Sequence, residues 1–109
     1  MCGICGITYT DRAKHVDRSR LRAMNKALQH RGPDDSGSWF GGHVALAMRR
    51  LSVIDLFRGK QPFANEEESI VLVYNGEIYN YRELRHDLEQ RGHVFHTLSD
   101  TEVVLRAYE

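Results

Sequence analysis

The sequence predicts an α+β domain. Two features carry that expectation. Short β-rich runs meet at glycine-containing turns, which favours antiparallel pairing. Amphipathic stretches follow residues that cap helices. The 109 residues contain no repeat, linker or low-complexity segment, so one domain is expected.

The elements follow in order. Residues 4–9 form an apolar run with Gly3 before it and Gly6 within it, as in a buried strand. Asp17 can cap a helix that places Leu21, Met24 and Leu28 at i, i+3 and i+7. His30-Arg31-Gly32-Pro33-Asp34-Asp35-Ser36-Gly37 is turn chemistry throughout. Trp39-Phe40 and residues 43–54 read as strands around a Gly41-Gly42 hairpin. Residues 55–61 read as loop, extended by Pro62. Ile70, Val71, Leu72 and Val73 mark a strand over 69–74. Asn75-Gly76 then predicts a type I′ hairpin into residues 77–81. Asn80 and Glu83 have capping-box spacing before a helix through Leu84 and Leu88 that stops at Gly92. Residues 93–97 suit a short strand. Ser99 and Glu102 repeat the capping box before a helix on Val103, Val104, Ala107 and Tyr108. That helix reaches Glu109 with no glycine cap or polar tail, which predicts that these residues are the front part of a longer protein.

Composition narrows the function classes. Fifteen basic and fifteen acidic residues cancel, so no charge excess points to nucleic acid or an anionic membrane. The chain is 41% hydrophobic, enough for a core. No apolar run approaches the ~20 residues of a membrane span. Asp11, Arg12, Lys14 and Asp17 stand where a signal peptide would be apolar. Cys2 and Cys5 do not make a secreted disulfide framework. A soluble protein of the reducing cytoplasm is expected.

Cys2 is the most informative residue. Removal of Met1 would place its thiol and a free α-amine on one residue, a nucleophile with its own base. An α-amine ordinarily has a pKa of about 7.7–8.0, so near neutrality it can accept the thiol proton. On position alone, a structurally unremarkable second residue is the simpler account.

The other candidates also carry two readings. Asn75-Gly76 is a hairpin signal and also a pair of donors suited to an oxyanion, and the two are compatible. Arg50, in Arg49-Arg50-Leu51-Ser52, is either a solvated strand end or a planar clamp for a carboxylate. Asp100 is a helix-start residue that, with Glu77, could also cage an ammonium group. Cys2-x-x-Cys5 could be half a zinc site or a redox pair, but a second cysteine pair is missing. His15, His30, His43, His86, His93 and His96 lack ligand spacing, so they read as surface or packing residues and no metal is expected.

Six segments occur together and in order. They are Met1-Cys2-Gly3-Ile4-Cys5-Gly6, His30-Arg31-Gly32-Pro33-Asp34, Arg50-Leu51-Ser52-Val53-Ile54-Asp55, Gln61-Pro62, Asn75-Gly76-Glu77-Ile78-Tyr79-Asn80 and Ser99-Asp100-Thr101-Glu102. The set resembles the glutaminase domain of glutamine-dependent asparagine synthetases, which are class II glutamine amidotransferases with an N-terminal nucleophile fold. The resemblance spans essentially the whole chain.

That resemblance implies an α/β/β/α sandwich of antiparallel sheets, of which residues 1–109 would be the N-terminal portion. It implies Cys2 as nucleophile and Asn75 and Gly76 as the oxyanion hole. Arg50 would bind the α-carboxylate of glutamine, Glu77 and Asp100 its α-ammonium, and Leu51 and Val53 would supply backbone groups and wall. In the family, ammonia passes to a synthetase domain of the same chain that uses ATP and magnesium to activate aspartate. Neither that domain nor a phosphate-binding glycine loop occurs within residues 1–109, so this segment alone is expected to be inactive in synthesis, and little glutaminase activity is expected of it in isolation. No cofactor is expected here, and a homodimer is compatible. The alternatives are an asparagine-synthetase-like amidotransferase with another carboxylate acceptor, or a non-catalytic regulatory module that retains the fold.

Overall fold

A computed structural model describes residues 2–51 and 60–109. Its elements are β1 (Gly3–Thr8), α1 (Arg18–Ala27), β2 (Asp35–Gly41), β3 (Val44–Arg50), β4 (Phe63–Ala64), β5 (Val71–Leu72), α2 (Tyr81–Gln90) and α3 (Asp100–Tyr108). This is an α+β fold with antiparallel sheets. One sheet has the order β1-β3-β2, and the other pairs β4 with β5. No helix among the described residues is long and apolar enough to cross a membrane.

The β2–β3 hairpin turns on Gly42-His43, one residue later than expected, since Gly41 already pairs with Val44. Gly42 takes the positive φ of 70° that the tight turn demands. β2 also begins earlier than the turn-rich composition suggested. Pairing of Asp35 with Arg50 and Ser36 with Arg49 draws that segment into the sheet. Of the strand expected over 43–54, the described part ends at Arg50; Ser52, Val53, Ile54 and Asp55 lie outside the described residues.

Asp17 caps α1 as expected, accepting from the Ser19 N–H at 2.9 Å and the Ser19 hydroxyl at 2.8 Å. Those bonds hold its carboxyl below the usual value. The apolar face of α1 lands Leu21 in a cluster with Val16, Ala45 and Ala47, flanked by Cys5, Ile7, Tyr9 and Phe40. Full burial of a leucine such as Leu21 contributes about 1.5–3 kcal/mol.

Strand alternation assigns the two faces of the larger sheet. Gly3, Cys5 and Ile7 share the α1 face with Ala45, Ala47 and Arg49, and a β-carbon on Gly3 would lie 3.2 Å from Leu28. Cys2, Arg50 and Gly37 fall on the opposite face, where a β-carbon on Gly37 would lie 1.9 Å from the Gln61 carbonyl oxygen. The larger sheet is thus sandwiched between α1 and the segment leading into β4, while α3 packs against β4.

Three expected strand features fail because side chains take over main-chain partners, and two expected caps form differently. No strand follows Gly76 among the described residues, and neither Asn75 nor Gly76 has the positive φ of a type I′ turn. The chain instead runs on to dock the Ile78 N–H on the Asp100 carboxylate at 3.0 Å. The strand over 69–74 shrinks to Val71–Leu72, because buried Asn65 takes the Ile70 N–H and Gln61 takes both main-chain groups of Tyr74. Residues 93–97 form no strand, since the N–H groups of His96 and Thr97 donate to Glu102. Asn80 makes no side-chain cap on α2. Ser99 does cap α3 by accepting from the Thr101 N–H, but Glu102 bonds to the preceding loop rather than completing the box.

Candidate active site

Cys2 stands just before β1, half-buried, and its carbonyl oxygen is the meeting point of the site. Arg31 Nε donates to it at 3.0 Å, and Asn75 Nδ2 donates to it at 3.1 Å. Two segments far apart in sequence therefore converge on the residue that bears the thiol. One N–H of the Asn75 amide is used in this bond, and an amide nitrogen carries two.

Arg50 closes β3, one position beyond the Gly3–Arg49 pair and therefore across from Cys2. Its main chain is engaged from the other side by the His30–Asp34 loop: Asp34 N–H donates to the Arg50 carbonyl at 3.1 Å, and Pro33 bridges to Arg50 in parallel. Gly32 makes this possible. A β-carbon there would sit 2.3 Å from the carbonyl carbon of Arg49, so the loop packs backbone to backbone on β3. The loop thereby delivers Arg31 to Cys2.

Asn75, Gly76 and Glu77 are exposed in a row. The Tyr74 phenol folds back over Gly76, its oxygen 2.9 Å from where a β-carbon would stand. Burial raises the Tyr74 hydroxyl pKa, and the negative charges of Asp100 and Glu77 push it the same way. Asp100, the first residue of α3, holds the Ile78 N–H and so ties the loop after Gly76 to its own helix. Leu51 is exposed beyond β3. Val53 lies outside the described residues.

The loop in front of Asp100 is fastened from below. Glu102 is fully buried. Its carboxylate accepts from the N–H of His96 at 3.0 Å, from the N–H of Thr97 at 2.6 Å and from the Thr97 hydroxyl at 2.7 Å. Arg106 adds a charge partner at 3.3 Å and itself holds Glu66 at 2.8 Å. Burial alone would raise the Glu102 pKa; the donors from His96, Thr97 and Arg106 outweigh it and keep the acid ionised.

Cys5 turns into the α1 core, on the face of β1 opposite to Cys2, and burial raises its thiol pKa. The two cysteines of the CxxC therefore do not converge.

A glutamine amidotransferase domain model matches residues 1–109 in full. The chain belongs to that family. Within it, the chain is 46% identical over 110 residues to asparagine synthetase [glutamine-hydrolyzing] 1 of Bacillus subtilis (strain 168), covering 99% of this chain and 17% of that protein. It is 45% identical to asparagine synthetase [glutamine-hydrolyzing] 2 of the same organism, covering 100% of this chain and 15% of the relative. The Brassica oleracea asparagine synthetase [glutamine-hydrolyzing] is 44% identical over 100% of this chain and 18% of its own length. The chain thus spans less than a fifth of the length of these three relatives.

The fold brings Asn75 to Cys2 on one side and Ile78 to Asp100 on the other, with Gly76 between them against Tyr74. Two contributors carried no role in the sequence, Arg31 and Gln61. Arg31 sits among turn residues, and only the Gly32–β3 contact shows where it points. Gln61 precedes a proline, with no periodicity to distinguish it.

Proposed function

We propose that this chain is the glutaminase part of a glutamine-hydrolysing asparagine synthetase, with Cys2 as N-terminal nucleophile. The observation that carries the reading is the convergence of Asn75 and Arg31 on the Cys2 carbonyl, which holds an amide donor beside the residue that bears the thiol.

In the mechanism, the Cys2 thiol attacks the side-chain amide carbon of glutamine while the Cys2 α-amine, freed by loss of Met1, takes the thiol proton. The free Asn75 N–H and the Gly76 main-chain N–H stabilise the oxyanion. Collapse breaks the C–N bond, the α-ammonium returns the proton to nitrogen, and ammonia leaves. Water then adds to the γ-glutamyl thioester and releases glutamate and the thiol. Arg50 holds the substrate α-carboxylate, Glu77 and Asp100 hold its α-ammonium, and Leu51 and Val53 line the wall.

On this reading a synthetase domain beyond these residues would use the ammonia, with ATP and magnesium supplying the activation of aspartate. The dependence on a reduced thiol fits the cytoplasm. The test is the full-length protein with glutamine, aspartate, ATP and magnesium. Asparagine and glutamate should appear together, and ammonia should replace glutamine. Glutamate release without any amidated aspartate would overturn the acceptor assignment. No glutamate release would overturn the reading as a whole.

A further inference from the structure

We propose that Gln61 is a positioning residue for the oxyanion donor Asn75, acting as a side-chain rung between the two sheets; the inference rests on the glutaminase reading. The β4–β5 register pairs Phe63 with Leu72 and Ala64 with Val71. Continued outward, it sets Pro62 opposite Val73 and Gln61 opposite Tyr74. The Asn65 N–H donates to the Ile70 carbonyl at 3.1 Å, so hydrogen-bonded pairs fall at Asn65–Ile70, Phe63–Leu72 and next at Gln61–Tyr74, with Pro62 at a position that needs no N–H. Gln61 makes its rung with its side chain. Its Oε1 accepts the Tyr74 N–H, and its Nε2 donates to the Tyr74 carbonyl at 3.0 Å. One amide thus satisfies both main-chain groups of the residue directly before Asn75.

The other end of the clamp is fixed to the first sheet. The Gln61 carbonyl approaches Gly37 so closely that a β-carbon there would fall 1.9 Å from its oxygen. Gly37 pairs with Met48 in β3, and Met48 pairs with Ile4 in β1, two residues beyond the nucleophile. Gln61 Nε2 also lies 3.5 Å from the Thr101 hydroxyl, next to Asp100. Gln61 therefore adds a second link between Cys2 and Asn75, beside their direct hydrogen bond. An amide is required: a carboxylate accepts from the Tyr74 N–H but meets the Tyr74 carbonyl as a second acceptor.

The experiment uses the full-length protein. Gln61→Glu keeps the shape and removes the donor; Gln61→Asn is one methylene too short to span. Glutamine hydrolysis is measured for both, and amide hydrogen exchange is followed at Tyr74 and along the β1–β3 ladder. In both variants kcat should fall by roughly 10–10²-fold with KM for glutamine shifted less than about threefold, because a donor is displaced while substrate contacts persist. Exchange should quicken at Tyr74 and stay unchanged at Ile4 and Met48. A kcat within about twofold of native for both variants overturns the proposal. So does exchange that quickens equally across β1 and β3, which would mark general loosening. If the native protein releases no glutamate, the glutaminase reading fails by itself, and exchange at Tyr74 still decides whether the clamp exists.

Discussion

The side-chain amide of Asn75 donates to the main-chain carbonyl of Cys2 at 3.1 Å, joining positions 73 residues apart. Cys2, the proposed nucleophile, therefore orients the amide proposed to stabilise the oxyanion. Asn75→Ala removes that donor, and turnover of glutamine should fall by roughly 10²–10³ with KM changed much less. Asn75→Asp should be at least as damaging, since a carboxylate cannot donate to the Cys2 carbonyl. A raised KM with unchanged kcat in steady-state assays would assign Asn75 to substrate binding instead.

Arg50 should show the opposite kinetic signature. Arg50→Lys exchanges a planar fork for a point charge, so KM for glutamine should rise about tenfold or more with a smaller change in kcat. Equal losses in kcat and kcat/KM would mean that Arg50 acts only in the transition state.

Cys2 and Cys5 occupy opposite faces of β1, so their substitutions should separate cleanly. Cys2→Ala should abolish glutamine hydrolysis and leave ammonia-dependent synthesis intact. Cys5→Ala removes one sulfur from a half-buried position beside Val16 and Leu21 and should cost only about 1 kcal/mol. Equal damage from the two would favour a joint redox or metal role.

The base proposed for Cys2 is its own α-amine, which exists only once Met1 is gone. Intact-mass measurement of active protein should therefore show Cys2 as the first residue. Retained Met1 in a fully active sample would remove the base from the mechanism.

Much of this arrangement is legible in the chain. The Asp17 cap and the Leu21 stripe specify α1, and the apolar run of β1 specifies its pairing, because those signals are local and the core rewards them. The segment from Gln61 to Thr97 is less legible. There Asn65, Gln61, Asp100 and Glu102 capture main-chain groups that local propensity assigns to strands and a hairpin. Such captures depend on residues brought close by the fold, so no periodicity announces them. The Asn75-Gly76 pair shows the difference: its turn chemistry suggested a hairpin, whereas the contact to Cys2 is tertiary.

The buried carboxylate of Glu102 makes acid the weak side of this domain. It accepts from His96, from Thr97 twice and from Arg106, and Glu102→Ala would leave those donors unsatisfied at a cost of about 3 kcal/mol. For Glu66, the hydrogen bonds from Arg106 are the main cause holding the carboxyl at about 2, against an ordinary 4.5. For Glu102, burial pushes upward, but its donors prevail and the folded value again lies below 4.5. Below pH 4.5 the unfolded chain therefore binds more protons than the folded one at these sites. The stability they contribute is fully present above that value and is lost as pH falls, for Glu66 toward about 2. The urea midpoint should decline on acidification through this range. Glu102→Gln should start lower at neutral pH and decline less steeply, because one of the two groups no longer takes up a proton. Parallel midpoint-against-pH curves for Glu102→Gln and the native protein would show that Glu102 contributes nothing to the acid sensitivity.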